Sequence, residues 1–510
     1  MTGVRPARVV VEALRLDRED LDEVHGRVER AIELGVGGFV LFGGVAARVA
    51  ELTDRIRQRA GRDLWIAADL ERGAGQQFRG LDELPPPAAL GRHVEPDRAA
   101  RRAARLTARQ ALSVGVNWVL APVLDLDLER ENPIVATRSF GDGPEAVARL
   151  GRAWVDACQG AGALACVKHF PGHGRTLADS HIELPVVDAT REELRMDLRP
   201  FAECVASVGS VMIAHVAYPA YGCEGPATES AEVVHGLLRE TLGFDRLVAT
   251  DAMIMAGVGD NDAEAAVAAI RAGCDVILYP SDVRRTVERL ERAADADPEF
   301  AGAVGAAVGR SVRELARFPG TAVATTPARP EVSGLELAEE TIIAEGVDLS
   351  RWNPGTPTEV VAVADDPEIG PPAGRDGPLA AILDATLSAA GWQTRLRTAT
   401  PDAAGGAAAT GGLTAAPGKV AQRIVVLAAT PRGWKGHGGP SAEVAERVRT
   451  ELESAERALL VLLGHARWIG DLGGSGLCAW STESVMERAA ARWVDRHTRD
   501  GSSRTSGAPA

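Results

Sequence analysis

Between about residue 20 and residue 317, amphipathic helical patterns alternate with short apolar runs, a rhythm that restricts the chain to repeated β/α units around a parallel sheet. Val24, Val28 and Ile32 recur every four residues on one helical face, Gly35 can close that helix, and residues 36–42 follow as an apolar strand. Six further runs have strand character: residues 64–68, 116–120, 164–167, 211–214, 247–250 and 275–278. Several end in ionisable groups, namely Asp69, Lys168 with His169, His215 and Asp251. The carboxyl ends of parallel strands form the reactive face of open and closed α/β sheets alike. Seven or eight such units within about 300 residues favour an N-terminal TIM-type (β/α) barrel. An open nucleotide-binding sheet would want Gly-x-Gly-x-x-Gly after its first strand, and Phe42-Gly-Gly-Val45 does not supply it.

Residues 318–334 are rich in Pro, Thr, Ala and Gly and read as a linker, which assigns 1–317 to the barrel. A smaller α/β sandwich domain is expected over 335–499, with buried strands at 360–364, 424–428 and 459–463 and helices at 441–456 and 483–494. Residues 402–418 form a low-complexity insert expected to be a mobile loop, and the tail 500–510 is expected to be disordered. Residues 433–439 read as an ordinary Gly-rich surface loop. The alternative is an approach to the barrel mouth, with Trp434 stacking on a sugar and Lys435 meeting an anion.

A net charge of -15 and a pI near 5.3 argue against a nucleic-acid partner. The local cluster Arg98, Arg101, Arg102 and Arg105 fits the solvated face of a helix. The first residues turn charged too soon for a secretory leader, and no run is long enough to span a membrane. Six cysteines without a Cys-x-x-Cys pair read as reduced core residues of a cytoplasmic protein. No zinc site is expected, since no His-Glu-x-x-His pattern occurs either.

The densest chemistry lies in residues 168–181, KHFPGHGRTLADSH, where a strand end runs into a Gly/Pro-rich loop. Asp179 and His181 stand two apart, a spacing from which a carboxylate can hold an imidazole in one tautomer. Read alone, the segment is equally a polar turn with solvated histidines. Asp251, likewise, is either a reactive carboxylate at a strand end or the N-cap of a following helix.

Four blocks together resemble the glycoside hydrolase family 3 β-N-acetylglucosaminidases, including those of cell-wall recycling. They are Asp69-Leu-Glu-Arg-Gly73, Asn132-Pro-Ile-Val-Ala-Thr-Arg-Ser-Phe-Gly141, the 168–181 segment and Thr250-Asp-Ala-Met253. The resemblance covers most of residues 25–320, and the start of the second domain at 335–343 is similar more weakly. It implies a retaining exo-glycosidase working through a covalent glycosyl-enzyme, with Asp251 as nucleophile and His181, partnered by Asp179, as acid/base. An imidazole can both protonate the leaving oxygen and activate water near neutral pH. Asp69, Arg138, Lys168, His169 and His173 match sugar-binding positions, with a buried structural role open for His173. The implied substrate is a terminal β-linked N-acetylglucosamine on a muropeptide or chitooligosaccharide fragment, and the resemblance implies no metal and no cofactor. Alternatives on the same scaffold are a phosphorylase, with phosphate as acceptor, and a non-catalytic carbohydrate-binding protein. The chain departs from the pattern where family members carry two arginines, at Ala74 and Gln77; Arg72 and Arg79 are the nearest charged substitutes.

Overall fold

The structure, a computed structural model of the full chain, describes residues 5–178, 183–259, 261–320, 333–364, 378–399, 419–429 and 439–500. Asp179, His181, Trp434, Lys435, the insert at 402–418, most of the linker and the tail from 501 lie outside the described residues.

Eight strands form the first sheet: β1 (Val10–Arg15), β2 (Gly38–Phe42), β3 (Trp65–Ala68), β4 (Trp118–Val119), β5 (Leu164–Phe170), β6 (Ser210–Ile213), β7 (Leu247–Thr250) and β8 (Ile277–Leu278). All pair in parallel in the order β7-β6-β5-β4-β3-β2-β1-β8, and a parallel bridge between Ala249 and Val276 joins the two ends. The sheet is therefore a barrel, wrapped by the intervening helices.

Alternation along each strand sorts its side chains into two cores. Val10, Leu14, Phe39, Leu41, Ile66, Val167, Val211 and Val248 point outward under the helices. Val11, Ala13, Val40, Trp65, Ala67, Trp118, Cys166, Met212, Ala249 and Leu278 fill the barrel, closed below by Leu315 and Phe318. Trp65 and Trp118 pack 5.3 Å apart at their ring centroids, and each buried indole N–H donates to a serine, Ser311 and Ser210. Truncating either ring to alanine would cost about 3–5 kcal/mol.

The barrel has one strand that the sequence pattern did not reveal. β1 carries Glu12 between apolar residues, which reads as a charged N-terminal segment. In the structure Glu12 is buried because Arg27, from the helix Leu21–Leu34, reaches its carboxylate at 2.7 Å. The other seven runs each overlap an observed strand.

The second sheet runs β11-β10-β12-β13-β14-β9, with β9 (Ile343–Glu345) antiparallel and β10 (Thr358–Ala364), β11 (Thr394–Thr398), β12 (Val420–Ala429), β13 (Ala455–Gly464) and β14 (Gly476–Cys478) parallel. The helices Ala381–Ala389, Ala442–Glu453 and Ser484–Asp500 belong to this second α/β domain. Three expected strands lie at its centre; the three short outer ones, β9, β11 and β14, were not expected. Among the described residues no helix is long and apolar enough to cross a membrane, and all six cysteines are buried and unpaired.

Candidate active site

The alternation that fills the barrel continues one step past the apolar layers. Above Ala67 stands Asp69, above Cys166 stands Lys168, and above Ala249 stands Asp251, all on the rim at the carboxyl ends of the strands. β5 breaks the alternation: its register against β6 shifts between Val167 and Phe170, and the Lys168–His169 peptide is cis. Lys168 and His169 both lie at the mouth, 2% and 4% exposed, so the solvated-turn alternative is not realised for His169.

Lys168 organises one half of the site. Its Nζ lies 2.5 Å from Asp69 Oδ1 and 2.7 Å from Glu71 Oε1. Arg138 closes on Glu71 with a two-pronged contact, Nε to Oε2 at 2.9 Å and Nη2 to Oε1 at 2.8 Å. Burial pushes the Glu71 carboxyl up, but the charges of Arg138 and Lys168 outweigh it and hold its pKa well below the ordinary range. Burial lowers Lys168, and the two carboxylates reverse this and leave its ammonium more firmly protonated than usual. The result is a fixed, fully charged cluster, of which Asp69 is the most open member at 30% side-chain exposure.

Asp125 organises the other half. Fully buried, it accepts from the backbone N–H of His169 at 3.1 Å and of His173 at 2.7 Å, and lies 2.6 Å from His169 Nδ1. An Nδ1–H donated to Asp125 leaves His169 Nε2 as the acceptor, with Arg138 Nη2 at 3.5 Å. His173 is 1% exposed, its Nδ1 meets Thr176 Oγ1 at 2.7 Å, and burial takes its pKa down to about 4. Its carbonyl accepts from Asn132 Nδ2 at 3.0 Å, and Tyr218 donates to the Gly172 carbonyl at 2.8 Å. These bonds pin the start of the loop that leads to Asp179 and His181. Gly174 is required there, because a β-carbon at that position would collide with the Leu126 carbonyl.

Asp251 is partly exposed, whereas Met253 and Met255 after it are buried. It does not cap a helix. Its Oδ1 accepts from the adjacent Ala252 N–H at 2.8 Å, and the next helical turn, at Ala256–Val258, is capped by Met255. Burial raises its pKa, but the imidazoles of His169 and His215, the Ala252 N–H and the Lys168 ammonium overcome that and bring it to about 2. Among the described residues it makes no ion pair, so an ionised carboxylate faces the mouth without a cation bound to it.

The barrel loop that carries Asp125 and Arg138 also touches the second domain. Asp127 pairs with Arg467 and lies 3.4 Å from His465 Nε2, while Arg130 pairs with Asp471 and stacks 4.3 Å over Trp468. Neither arginine near the altered motif enters the charged cluster. Arg72 turns away to Glu483 at 2.6 Å, Arg79 is exposed, and the Gln77 side chain accepts from the Gly43 N–H. Arg102, expected on a solvated face, instead meets Glu340 of the second domain at 2.8 Å.

Glu71 and Asp125 are the members that sequence reasoning missed. Glu71 stands two residues after Asp69, and Asp125 lies five residues beyond the strand run at 116–120, too far for strand-end logic to reach.

Residues 18–313 match the family model described as the glycosyl hydrolase family 3 N-terminal domain. The chain is 39% identical over 256 residues to a β-hexosaminidase of Thiobacillus denitrificans, covering 48% of this chain and 71% of that protein. It is 37% identical over 219 residues to β-hexosaminidase A of Pseudoalteromonas piscicida, covering 39% of this chain and only 37% of the relative. A solved family 3 β-N-acetylglucosaminidase from Paenibacillus sp. str. FPU-7 superposes with a TM-score of 0.80 at 25% identity, over 97% of both chains. A closed barrel with its charged rim, followed by a second α/β domain and matched by a family model across more than half its length, places this chain in glycosyl hydrolase family 3.

Proposed function

We propose that the protein is a retaining exo-β-N-acetylglucosaminidase in which Asp251 attacks the anomeric carbon. The observation that carries this reading is the state of Asp251: ionised down to about pH 2, partly open, and unpaired among the described residues, at the rim that also holds Lys168, Asp69 and His169. A carboxylate locked to a cation is a weaker and less accessible nucleophile than one left open at the rim. The sugar choice is supported by the similarity to proteins named β-hexosaminidase.

The fixed cluster supplies orientation. Asp69 accepts from sugar hydroxyls, and Lys168, Arg138 and His169, already aimed by Glu71 and Asp125, meet their oxygens without reorganising. The negative charge of the Asp251 carboxylate stabilises the oxocarbenium character that develops at C1. Asp251 forms the bond to C1 as the glycosidic oxygen departs. His181, steered by Asp179, protonates that oxygen and then takes a proton from the water that releases the sugar with retained configuration. The acid/base assignment rests on the 168–181 motif, and the pinned segment up to Thr176 supports it by fixing where the loop begins. Substrates are muropeptide or chitooligosaccharide fragments, and the six unpaired buried cysteines fit a reducing, cytoplasmic setting.

The test uses an aryl β-N-acetylglucosaminide. Asp251→Ala should lower kcat/KM by at least about 10³-fold, and quenched wild-type enzyme should carry the sugar mass on the peptide containing residue 251. Undiminished turnover in the variant rejects the assignment. Mass spectrometry of products in phosphate buffer checks the acceptor: free sugar supports hydrolysis, and sugar 1-phosphate as the main product would make the enzyme a phosphorylase.

A further inference from the structure

One sector of the mouth has no role in the account above. Arg15 ends β1, and by the alternation that points Val11 and Ala13 inward it belongs to the same rim layer as Asp69, Lys168 and Asp251. Its guanidinium carbon lies 5.0 Å from the ring centre of Phe42 and 5.4 Å from that of Tyr279, and the two rings are 5.7 Å apart. Its Nε donates to Tyr279 Oη at 2.6 Å. No carboxylate among the described residues pairs with Arg15, and all three side chains are partly exposed. Tyr279 reaches this corner against the alternation of β8. Leu278 before it already faces inward, and the residue takes the left-handed region at φ 49°, an unfavourable conformation for a tyrosine. A cation held by two aromatic rings and one hydroxyl, its outer nitrogens free among the described residues, is a preorganised donor aimed at something outside the chain.

The barrel order says which part of a sugar that is. β7 and β3 stand four strands apart in both directions, as do β5 and β1, so Asp251 faces Asp69 across the mouth while Lys168 faces Arg15. In a pyranose, C1 and C4 are opposite. With C1 at Asp251, C4 falls to Asp69, and the 2.5 Å contact between Asp69 and Lys168 suits the neighbouring hydroxyls at C4 and C3. That commits the C2–C3 edge to the Lys168 wall and leaves the C5 edge, with its hydroxymethyl group, to the Arg15 wall.

We infer that Arg15, set by Tyr279 and Phe42, is a specificity residue that binds the primary hydroxyl at C6 of the terminal sugar. The methylene packs on the Phe42 ring, the oxygen accepts from a free guanidinium N–H, and its proton goes to the remaining lone pair of Tyr279 Oη. This rests on the reading of Asp251 as the group that attacks C1.

The experiment compares an aryl β-N-acetylglucosaminide with its 6-deoxy analogue, and with the corresponding glucoside, in wild type, Arg15→Ala and Tyr279→Phe. Wild type should prefer the parent over the 6-deoxy compound by roughly 10- to 100-fold in kcat/KM, the effect of a hydrogen bond to a charged donor. In Arg15→Ala that preference should collapse to less than about threefold, with the parent losing rate and the 6-deoxy compound nearly unchanged. Tyr279→Phe removes only one hydroxyl, so it guards against a folding failure of the first variant; its preference should fall partway. An unchanged 6-deoxy preference in either variant overturns the inference while the proposed function stands. A change confined to the glucoside comparison also overturns it and puts Arg15 beside C2. Wild-type enzyme inactive on every N-acetylglucosaminide removes both.

Discussion

Glu71→Gln should destabilise the barrel by about 3 kcal/mol at neutral pH. Taking one partner from a buried ion pair costs about 3–5 kcal/mol, because the charge left behind stays desolvated. Here two cations lose a partner, but neither is abandoned. Lys168, 3% exposed at the side chain, keeps Asp69 at 2.5 Å, and Arg138 is 25% exposed and can recruit water. Both facts place the loss at the lower end of the range. The pH dependence provides a sharper check. Glu71 has a folded pKa well below its ordinary 4.5, so its contribution is fully present above pH 4.5 and is lost as acid approaches the folded value. Wild type and variant should therefore differ most at pH 7 and converge below pH 4.5. Opening free energies from hydrogen exchange of the β3 and β5 amides, taken from pH 7 downward, measure the difference at each pH. Equal stability at pH 7, or a gap that does not narrow in acid, would refute the assignment of Glu71 as a buried counter-ion.

Asp251 should titrate near pH 2 in the folded protein, which carbon-detected NMR of labelled aspartate can follow; a midpoint near 4 would show that His169, His215 and Lys168 do not act on it. By the same linkage, it adds stability above the ordinary value of 3.8 that disappears as pH falls through about 2. Gly174→Ala should lower kcat at least about tenfold by displacing the segment that leads to His181, with a smaller effect on the unfolding midpoint; normal kcat would mean that the Leu126 carbonyl yields without moving the loop.

Much of the barrel was legible because its strands are buried on both faces and read as continuous apolar runs. β1 escaped because its one charged residue is neutralised by Arg27, a partner in another element that no local pattern announces. In the second domain the central strands are long and apolar, whereas β11 carries two arginines and two threonines around a single leucine and β9 and β14 span three residues each. At the site, Asp69, Lys168, His169 and Asp251 were visible as polar ends of apolar runs. Glu71 and Asp125 were not, since what marks them is the set of cations and N–H groups that converge on them from distant strands. Arg15 was hidden with its strand. Asp179 and His181 were legible only through their motif, and they lie outside the described residues.

The stretch between Asp125 and Arg138 is gripped at both ends of its span. Asp125 orients His169 inside the barrel, while Asp127 and Arg130 reach out to Arg467 and Asp471. Severing the polypeptide ahead of residue 335 would remove Arg467 and His465 from Asp127 and leave that carboxylate to water, two residues from the anchor of that imidazole. The second domain is thus tied by ion pairs to the same loop that holds His169, so a change in one is transmitted to the other through residues 125–130.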